Sequence, residues 1–186
     1  MDDRAFCNHV AHVVIQGILS GNSVEIDGLG IFHPDPERFF HFEPRHFPQV
    51  FIAYVVADRP FAERLYDTLE AAGFAPWMDT RKLLPGQNWP RAIESAIEAS
   101  EFFVPCFSAN SVAKRGGFQA EIRYALDCAR QLPLDETFVV PVRLGECAMP
   151  RAIQRVYQYV DLAPDWDAGA LRMVAMMRKE LARRAK

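Results

Sequence analysis

The chain has 186 residues, half of them hydrophobic, and a net charge of −3. That composition supports one buried core with an appendage, and its bulk charge does not suggest nucleic acid as a partner. No apolar run reaches the roughly 20 residues of a membrane span, so no membrane partner is expected.

The first predicted element is a helix over Phe6 to Leu19, with Phe6, Val10, Val13, Val14 and Ile18 on one side. Ser20-Gly21-Asn22 ends it. From Ser23 to Phe32, Val24 and Ile26 alternate with polar residues and Gly28 and Gly30 punctuate the run, which reads as a hairpin or a bent strand pair. Pro34, Pro36, Pro44 and Pro48 mark 33–49 as a linker. The expected division is an appendage over 1–46 and a main domain over 47–186. Asp2, Asp3, Glu25, Asp27, Asp35, Glu37 and Glu43 outweigh Arg4, Arg38 and Arg45, so the appendage is the acidic part. Cys7, His9 and His12 are close enough to suggest zinc, but no further ligand has local spacing, and no metal is expected.

The main domain opens with an apolar strand, Val50-Phe-Ile-Ala-Tyr54. Asp58 is placed to cap the helix that follows, Pro60 suits its first turn, and Phe61, Leu65 and Leu69 fall four apart on one face. Gly73 stops this helix, and Phe74 to Met78 forms a second strand. Asp79 to Trp89 reads as a long loop with a tight turn at Pro85-Gly86. The next helix turns Trp89, Ile93, Ala96 and Ile97 inward. Glu101 to Ser108 is a buried strand, with a bulge or an end expected near Pro105 because proline has no ladder donor. After the polar loop Ser108–Gly117, a helix carries Phe118, Ile122, Ala125, Leu126 and Ala129 on one face. Thr137 to Leu144 is a strand, Ile153 to Val156 a short helix, Tyr157 to Leu162 a last strand, and Leu171 to Ala185 a terminal helix with a basic end. Five strands alternating with helices predict an α/β, flavodoxin-like, five-stranded parallel sheet, whose ligands bind beyond the carboxyl ends of the strands.

All five histidines lie at or before His46, so the main domain has no Ser-His, Cys-His or His-metal chemistry. It has no Walker A loop and no GxGxxG. Cys7, Cys106, Cys128 and Cys147 are widely spaced, and the opening Met1-Asp-Asp-Arg4 is unlike a secretory leader. Free thiols in a cytoplasmic protein are expected.

Several stretches together resemble a bacterial TIR (Toll/interleukin-1 receptor) domain. They are Val50-Phe-Ile-Ala-Tyr54 with Asp58-Arg59, Leu69-Glu-Ala-Ala-Gly-Phe74, Trp77-Met-Asp79, Leu83-Leu-Pro-Gly-Gln-Asn-Trp89, Ala96-Ile-Glu-Ala-Ser-Glu-Phe-Phe103, Ser108-Ala-Asn-Ser-Val112, Glu121-Ile122, Val140-Pro-Val-Arg-Leu144 and Tyr159-Val-Asp-Leu162. The run Gly21 to Phe32 resembles part of the bacterial histone-like HU/IHF family, without that family's basic arm. The appendage is therefore expected to dock or dimerise rather than hold DNA, and nucleic acid is not an expected partner.

The TIR resemblance implies an NAD+ nucleosidase or cyclase in antiphage defence and immune signalling, with NAD+ as substrate and no further cofactor. Glu121 matches the family's catalytic glutamate. Ala53, Tyr54, Trp77, Leu84, Pro85, Gly86, Ser108, Ser111 and Phe118 are the implied substrate-binding residues. The 79–89 loop is implied to pack on another TIR domain, making a homo-oligomer. The alternative that the family also contains is an adaptor that assembles and cleaves nothing. Residue by residue the plainer readings are a solvent-facing helix-start glutamate for Glu121, core packing for Trp77 and Trp89, turn formation for Ser108 and Ser111, and solvated surface for Arg81 and Lys82. The chain departs from the family's usual residues at Ala53, Val55, Lys114 and Gly117, the last standing where an aromatic four before the glutamate is usual.

Overall fold

A computed structural model describes residues 3–26, 29–82, 86, 88–113 and 115–185, and it divides into two compact units, Met1–Phe47 and Pro48–Lys186. In the first unit, α1 (Asp3–Leu19) is followed by a three-stranded antiparallel sheet of β1 (Val24–Ile26), β2 (Gly30–Asp35) and β3 (Phe39–Pro44), in that order. The expected linker is thus largely strand. The Asp35 carboxylate accepts the backbone N–H groups of Glu37 and Arg38 at 2.8 and 3.0 Å, and Phe39 turns the chain at φ 70°. Phe40 and Phe42 then pack on Phe32, with ring centroids 5.4 and 4.6 Å away. The prolines signal a break, but Pro36 lies in the turn and Pro44 closes an edge strand, where a missing donor costs little. Gly30 is needed where it stands: at φ 147° a Cβ would meet the Glu43 carbonyl oxygen at 2.2 Å. On α1, Ile18 is buried as expected, whereas Val13 is exposed.

The second unit starts with β4 (Gln49–Ala53), a 3₁₀ turn (Val56–Asp58), α2 (Arg59–Ala71) and β5 (Ala75–Trp77). It continues through α3 (Asp79–Lys82), α4 (Trp89–Glu98), β6 (Phe102–Phe107), α5 (Ala109–Val112) and α6 (Gly117–Ala129). It ends with β7 (Val142–Arg143), α7 (Arg151–Gln154), β8 (Val160–Asp161) and α8 (Trp166–Arg184). The five strands pair in parallel in the order β5-β4-β6-β7-β8. This is the doubly wound order the alternation predicts. One face of the sheet packs Val50, Ile52, Phe102 and Val104 against α2 and α8. The other packs Phe51, Phe103 and Phe107 against α4 and α6.

The α2 stripe is not the expected one. Ala62, Leu65, Tyr66 and Leu69 are buried, while Phe61 is exposed and stacks its ring 6.2 Å from Trp166. A spacing of four drifts around a helix of 3.6 residues per turn, and the sheet captures the 62/65/66/69 ridge.

Pro105 does not end β6. The strand runs to Phe107 with Ala53 opposite Pro105 and no bulge in the register. Its missing donor is felt on the other side. Phe103 gives its N–H to Phe138 and accepts from Val140, at 2.8 and 2.9 Å, and Leu144 donates to Phe107 at 2.8 Å. Pro105 has no N–H for the position between them. The expected strand over 137–144 accordingly reduces to a bridge at Val139 and the short β7. The loop after Met78 is partly helical as α3, and Gly86 has the positive φ (86°) that its turn requires. Leu83, Leu84 and Pro85, on which the loop-tip reading rests, lie outside the described residues.

The α8 helix begins earlier than expected, at Trp166, where the Asp165 carboxylate caps Ala168 N–H. Its basic end grips the base of the sheet. Arg184 donates to the Thr137 carbonyl at 2.6 Å and pairs with Glu136 at 3.0 Å. Gly169 lets α8 lie on β8: a Cβ there would sit 2.3 Å from the Asp161 carbonyl oxygen and 3.0 Å from Leu162 Cα. Gly169→Ala is therefore expected to lower stability by about 1–3 kcal/mol, because backbone and not a flexible side chain must move. A urea midpoint equal to that of the wild type would show that α8 has room.

Candidate functional site

Glu121 lies near the start of α6 and is half-buried. Helical side chains lean toward the N-terminus of their helix. The Glu121 carboxylate accordingly reaches back over Gly117, where a Cβ would lie 3.8 Å from Oε1. It borders a cleft of about 340 Å³ between α4 and α6, whose walls include Trp89, Ile93, Glu94, Gly117, Ala120 and Tyr124. Burial raises the Glu121 pKa from 4.5 to about 7, and the Asp79 carboxylate on α3 adds to the shift. The group therefore changes ionisation near neutrality. This is not the solvated helix-start glutamate of the plainer reading.

Asp79 is held from the residue that follows β4. The Tyr54 hydroxyl donates to Asp79 Oδ1 at 2.7 Å and lies 3.0 Å from Thr80 Oγ1. Burial, with Asp79 beside it, pushes the Tyr54 phenol up to about 12. Arg81 is not simply solvated: its guanidinium stacks 4.1 Å over the Tyr66 ring and pairs with Asp67 at 3.1 Å, fixing α3 to α2.

A second polar cluster lies under the loops after β4 and β6. Asp58 occupies the cap position of α2 but makes no cap bond. Its carboxylate turns inward, where it is 1% exposed, and accepts from Ser108 Oγ and from Asn110 Nδ2, the latter at 2.8 Å. Ser108 and Ser111 form a reciprocal capping box on α5. Both serines are buried, and their hydroxyls are engaged within this cluster. Asp58→Ala would strand Ser108 and Asn110 without their acceptor and is expected to cost about 2–3 kcal/mol. An unaltered denaturation midpoint would mean that water replaces the carboxylate without loss.

The remaining implied binding residues divide. Ala53 and Phe118 are buried, and Trp77 is half-buried beside them in the core layer that faces α4 and α6. Trp77 stacks on Phe51 at 4.7 Å, Phe51 on Phe103 at 5.5 Å, and Phe118 meets Phe107 edge-on at 5.8 Å. None of these three lines the cleft beside Glu121. Gly86 is exposed, and Leu84 and Pro85 lie outside the described residues. Trp89 reverses its expectation: it is 58% exposed and stands in the wall of the Glu121 cleft. Sequence reasoning also missed Glu94 and Tyr124, which share that wall. A helical face read only for apolar content cannot reveal them.

Residues 50–174 match the family model of the TIR domain. The chain belongs to the TIR-domain family. The matched span begins at Val50 and leaves the N-terminal unit outside it. An uncharacterised protein of Sinorhizobium fredii (strain NBRC 101917 / NGR234), y4cD, is 26% identical over 128 residues, which are 69% of this chain and 20% of that protein. The TIR chain thus spans about a fifth of this relative's length. The TIR domain of the Toll-related receptor TRR-2 from Hydra magnipapillata superposes with a TM-score of 0.54 at 21% identity, covering 68% of this chain and 97% of that one. A TIR-STING receptor from C. gigas gives 0.56 at 22%, covering 69% and 38%. At these identities the likeness is one of fold.

Within the TIR domain, Glu121, Trp89 and Gly117 meet at one cleft, while Asp58, Ser108 and Ser111 form a separate internal network. Among the described residues no group of three His, Cys, Asp or Glu side chains is placed to hold a metal ion, and no helix is long and apolar enough to cross a membrane.

Proposed function

We propose that this TIR domain cleaves the nicotinamide–ribose bond of NAD+, with Glu121 as its catalytic carboxylate. The observation that carries the reading is Glu121 itself, a half-buried carboxylate reaching over Gly117 into a cleft, with its pKa raised to about 7. Breaking this bond builds positive charge on the ribose, as in glycoside hydrolysis. A carboxylate in a partly dehydrated site stabilises that charge more than the same group would in water. Nicotinamide leaves as a neutral molecule from a cationic precursor, so the reaction needs no general acid. The absence of histidine from residues 50–186 is compatible with this chemistry.

The reactive form is the ionised carboxylate. Because the Glu121 pKa lies near 7, the rate is expected to rise with pH through about 7 and then level off. The test is incubation of the full chain with NAD+, following free nicotinamide by chromatography between pH 6 and 8.5. Absence of nicotinamide at high protein concentration, with the protein folded, would sink the reading.

A second reading is a TIR module that assembles and cleaves nothing. It is favoured by the apolar burial of Ala53 and Val55 and by the internal engagement of Ser108 and Ser111, which leave few free polar groups for a dinucleotide. In that case assembly through the 79–89 loop would be the activity. Nicotinamide release by concentrated protein separates the two: the first reading requires it, and the second requires assembly with no release at any protein concentration.

A further inference from the structure

We propose that the first unit pairs with a second copy of itself, through the apolar groove between α1 and its three-stranded sheet. The inference is independent of the reaction proposed for the TIR unit. Among the described residues of Met1–Phe47, Ile18 is the one hydrophobic side chain that is buried, at 6% exposed. A unit of this size with so small a core is ordinarily held by disulfides, by a metal or by association with another chain. Cys7 is its one cysteine, and no metal-holding group occurs among its described residues. Association is the device that remains.

The helix lies close on the sheet at its C-terminal end. A Cβ at Gly17 would sit 2.2 Å from Val24 Cγ2, next to buried Ile18. Toward the N-terminus the same helical stripe borders open space. There a groove of about 360 Å³ is walled by Val10, Val14, Ile15, Ile26, Leu29 and Phe32, and Cys7 also lines it. No charged residue is among the described residues of this lining. Ile15 and Leu29 are 43% and 50% exposed, and Leu19 and Phe40 extend the apolar surface at 64% and 41%. The face is on the order of several hundred Å², against the roughly 800 Å² that each partner gives to a stable pair.

Charge selects the occupant. This unit is the acidic part of the chain, so two copies would repel if their charges met. The register instead puts Glu25, His33, His41 and Glu43 on the opposite face of the sheet. There His33 stands 2.9 Å from Ser23 Oγ and 3.1 Å from Glu43 Oε2, and Arg45 pairs with Glu25 at 3.7 Å. A strongly charged partner would find no countercharge in the groove. A second copy brings an uncharged rim to an uncharged groove, and the exposed Ile15 and Leu29 of each copy fill the groove of the other. Such an isologous contact closes at two copies. Each dimer then carries two TIR units.

The test is sedimentation velocity of the full chain over a wide range of protein concentration. A dimer that dissociates on dilution is expected. Ile15→Asp places a charge in each half of the contact and should leave a monomer, and Ile15→Ala should raise the dimer Kd about tenfold or more. His41→Asp, on the opposite face, should dissociate as the wild type does. Alkylation of Cys7, followed by mass spectrometry of its peptide, reads the same groove. The thiol should react slowly in the dimer and faster on dilution or in Ile15→Asp. Circular dichroism checks the fold, and Ile15→Ala decides the matter if Ile15→Asp unfolds. A dimer that survives Ile15→Asp with Cys7 reactive is held by the TIR units and overturns the proposal, as does an unchanged Kd in Ile15→Ala. A monomer at the highest concentration overturns it too. A protected Cys7 then means that the chain's own TIR unit covers the groove, and a reactive Cys7 means that no second copy enters it.

Discussion

Replacing Glu121 with Gln is expected to stop nicotinamide release and, at pH 8, to make the protein more stable. The loss of turnover should be on the order of 10²-fold or more, because the amide keeps the shape of the side chain but not the charge on which the proposed reaction depends. The stability gain follows from the same burial. Glu121 has a folded pKa of about 7 against an ordinary value of 4.5. Between these values the folded chain holds a proton that the unfolded chain has released, so this group makes stability fall as pH rises through that window. Below about 4.5 the two proteins should unfold alike. Above about 7 the wild type bears the whole cost of a half-buried charge beside Asp79, and the variant does not. The difference is expected to be about 1–3 kcal/mol, or a rise in Tm of about 3–8 °C. Thermal scans at pH 4.5, 6 and 8 check it. Wild-type turnover in the Glu121→Gln variant ends the catalytic assignment, and a pH-independent stability difference shows that the carboxylate is better solvated than its position implies.

Phe118→Ala should remove about 3–5 kcal/mol of stability and most of the activity. Phe118 is 7% exposed, closes the first turn of α6 and meets Phe107 of the central strand edge-on at 5.8 Å. Truncation leaves a cavity under the turn that carries both Gly117 and Glu121, so the helix start moves and the carboxylate moves with it. Set against the roughly 5–15 kcal/mol that holds a domain folded, the loss is a large part of the total. Phe118→Leu keeps most of the volume and should recover most of both properties. Denaturant unfolding gives the stability, and nicotinamide release at a temperature where both variants are folded gives the activity. Wild-type stability and full turnover in Phe118→Ala would place the side chain outside the core and disconnect it from Glu121.

Much of the fold is legible in the chain, for an identifiable reason. A strand buried on both faces must be apolar throughout, so Val50–Ala53 and Phe102–Phe107 announce themselves without periodicity. Helices between such strands leave few topologies once crossovers are right-handed. The errors fall where a neighbour decides. Trp89 looks like core because its helix is amphipathic, but which side chain of that face reaches the sheet depends on where α4 sits, and Trp89 falls beyond the edge. Phe61 fails in the same way on α2. The prolines of 33–49 suggest a linker, yet the Asp35 turn and the Phe32–Phe42 packing fold it into a hairpin. Pro105 is a missing donor, as its chemistry requires, but the cost appears on the adjacent segment and not in its own strand.

Residue type and local spacing settle the succession and direction of the parallel strands and the exclusion of histidine-based chemistry from residues 50–186, whereas Glu121, the glutamate near the start of α6, is singled out by the resemblance to the TIR family. The chain carries those properties with it, folded or not. What surrounds that glutamate is settled by packing alone. Burial depends on helices α3, α4 and α6 meeting, and so does the raised pKa that follows from it. Asp58 turns from a helix cap into the buried acceptor of Ser108 and Asn110 for the same reason: its partners lie 50 and 52 residues away, and no local pattern can reveal a hydrogen bond that exists only after two loops are brought together.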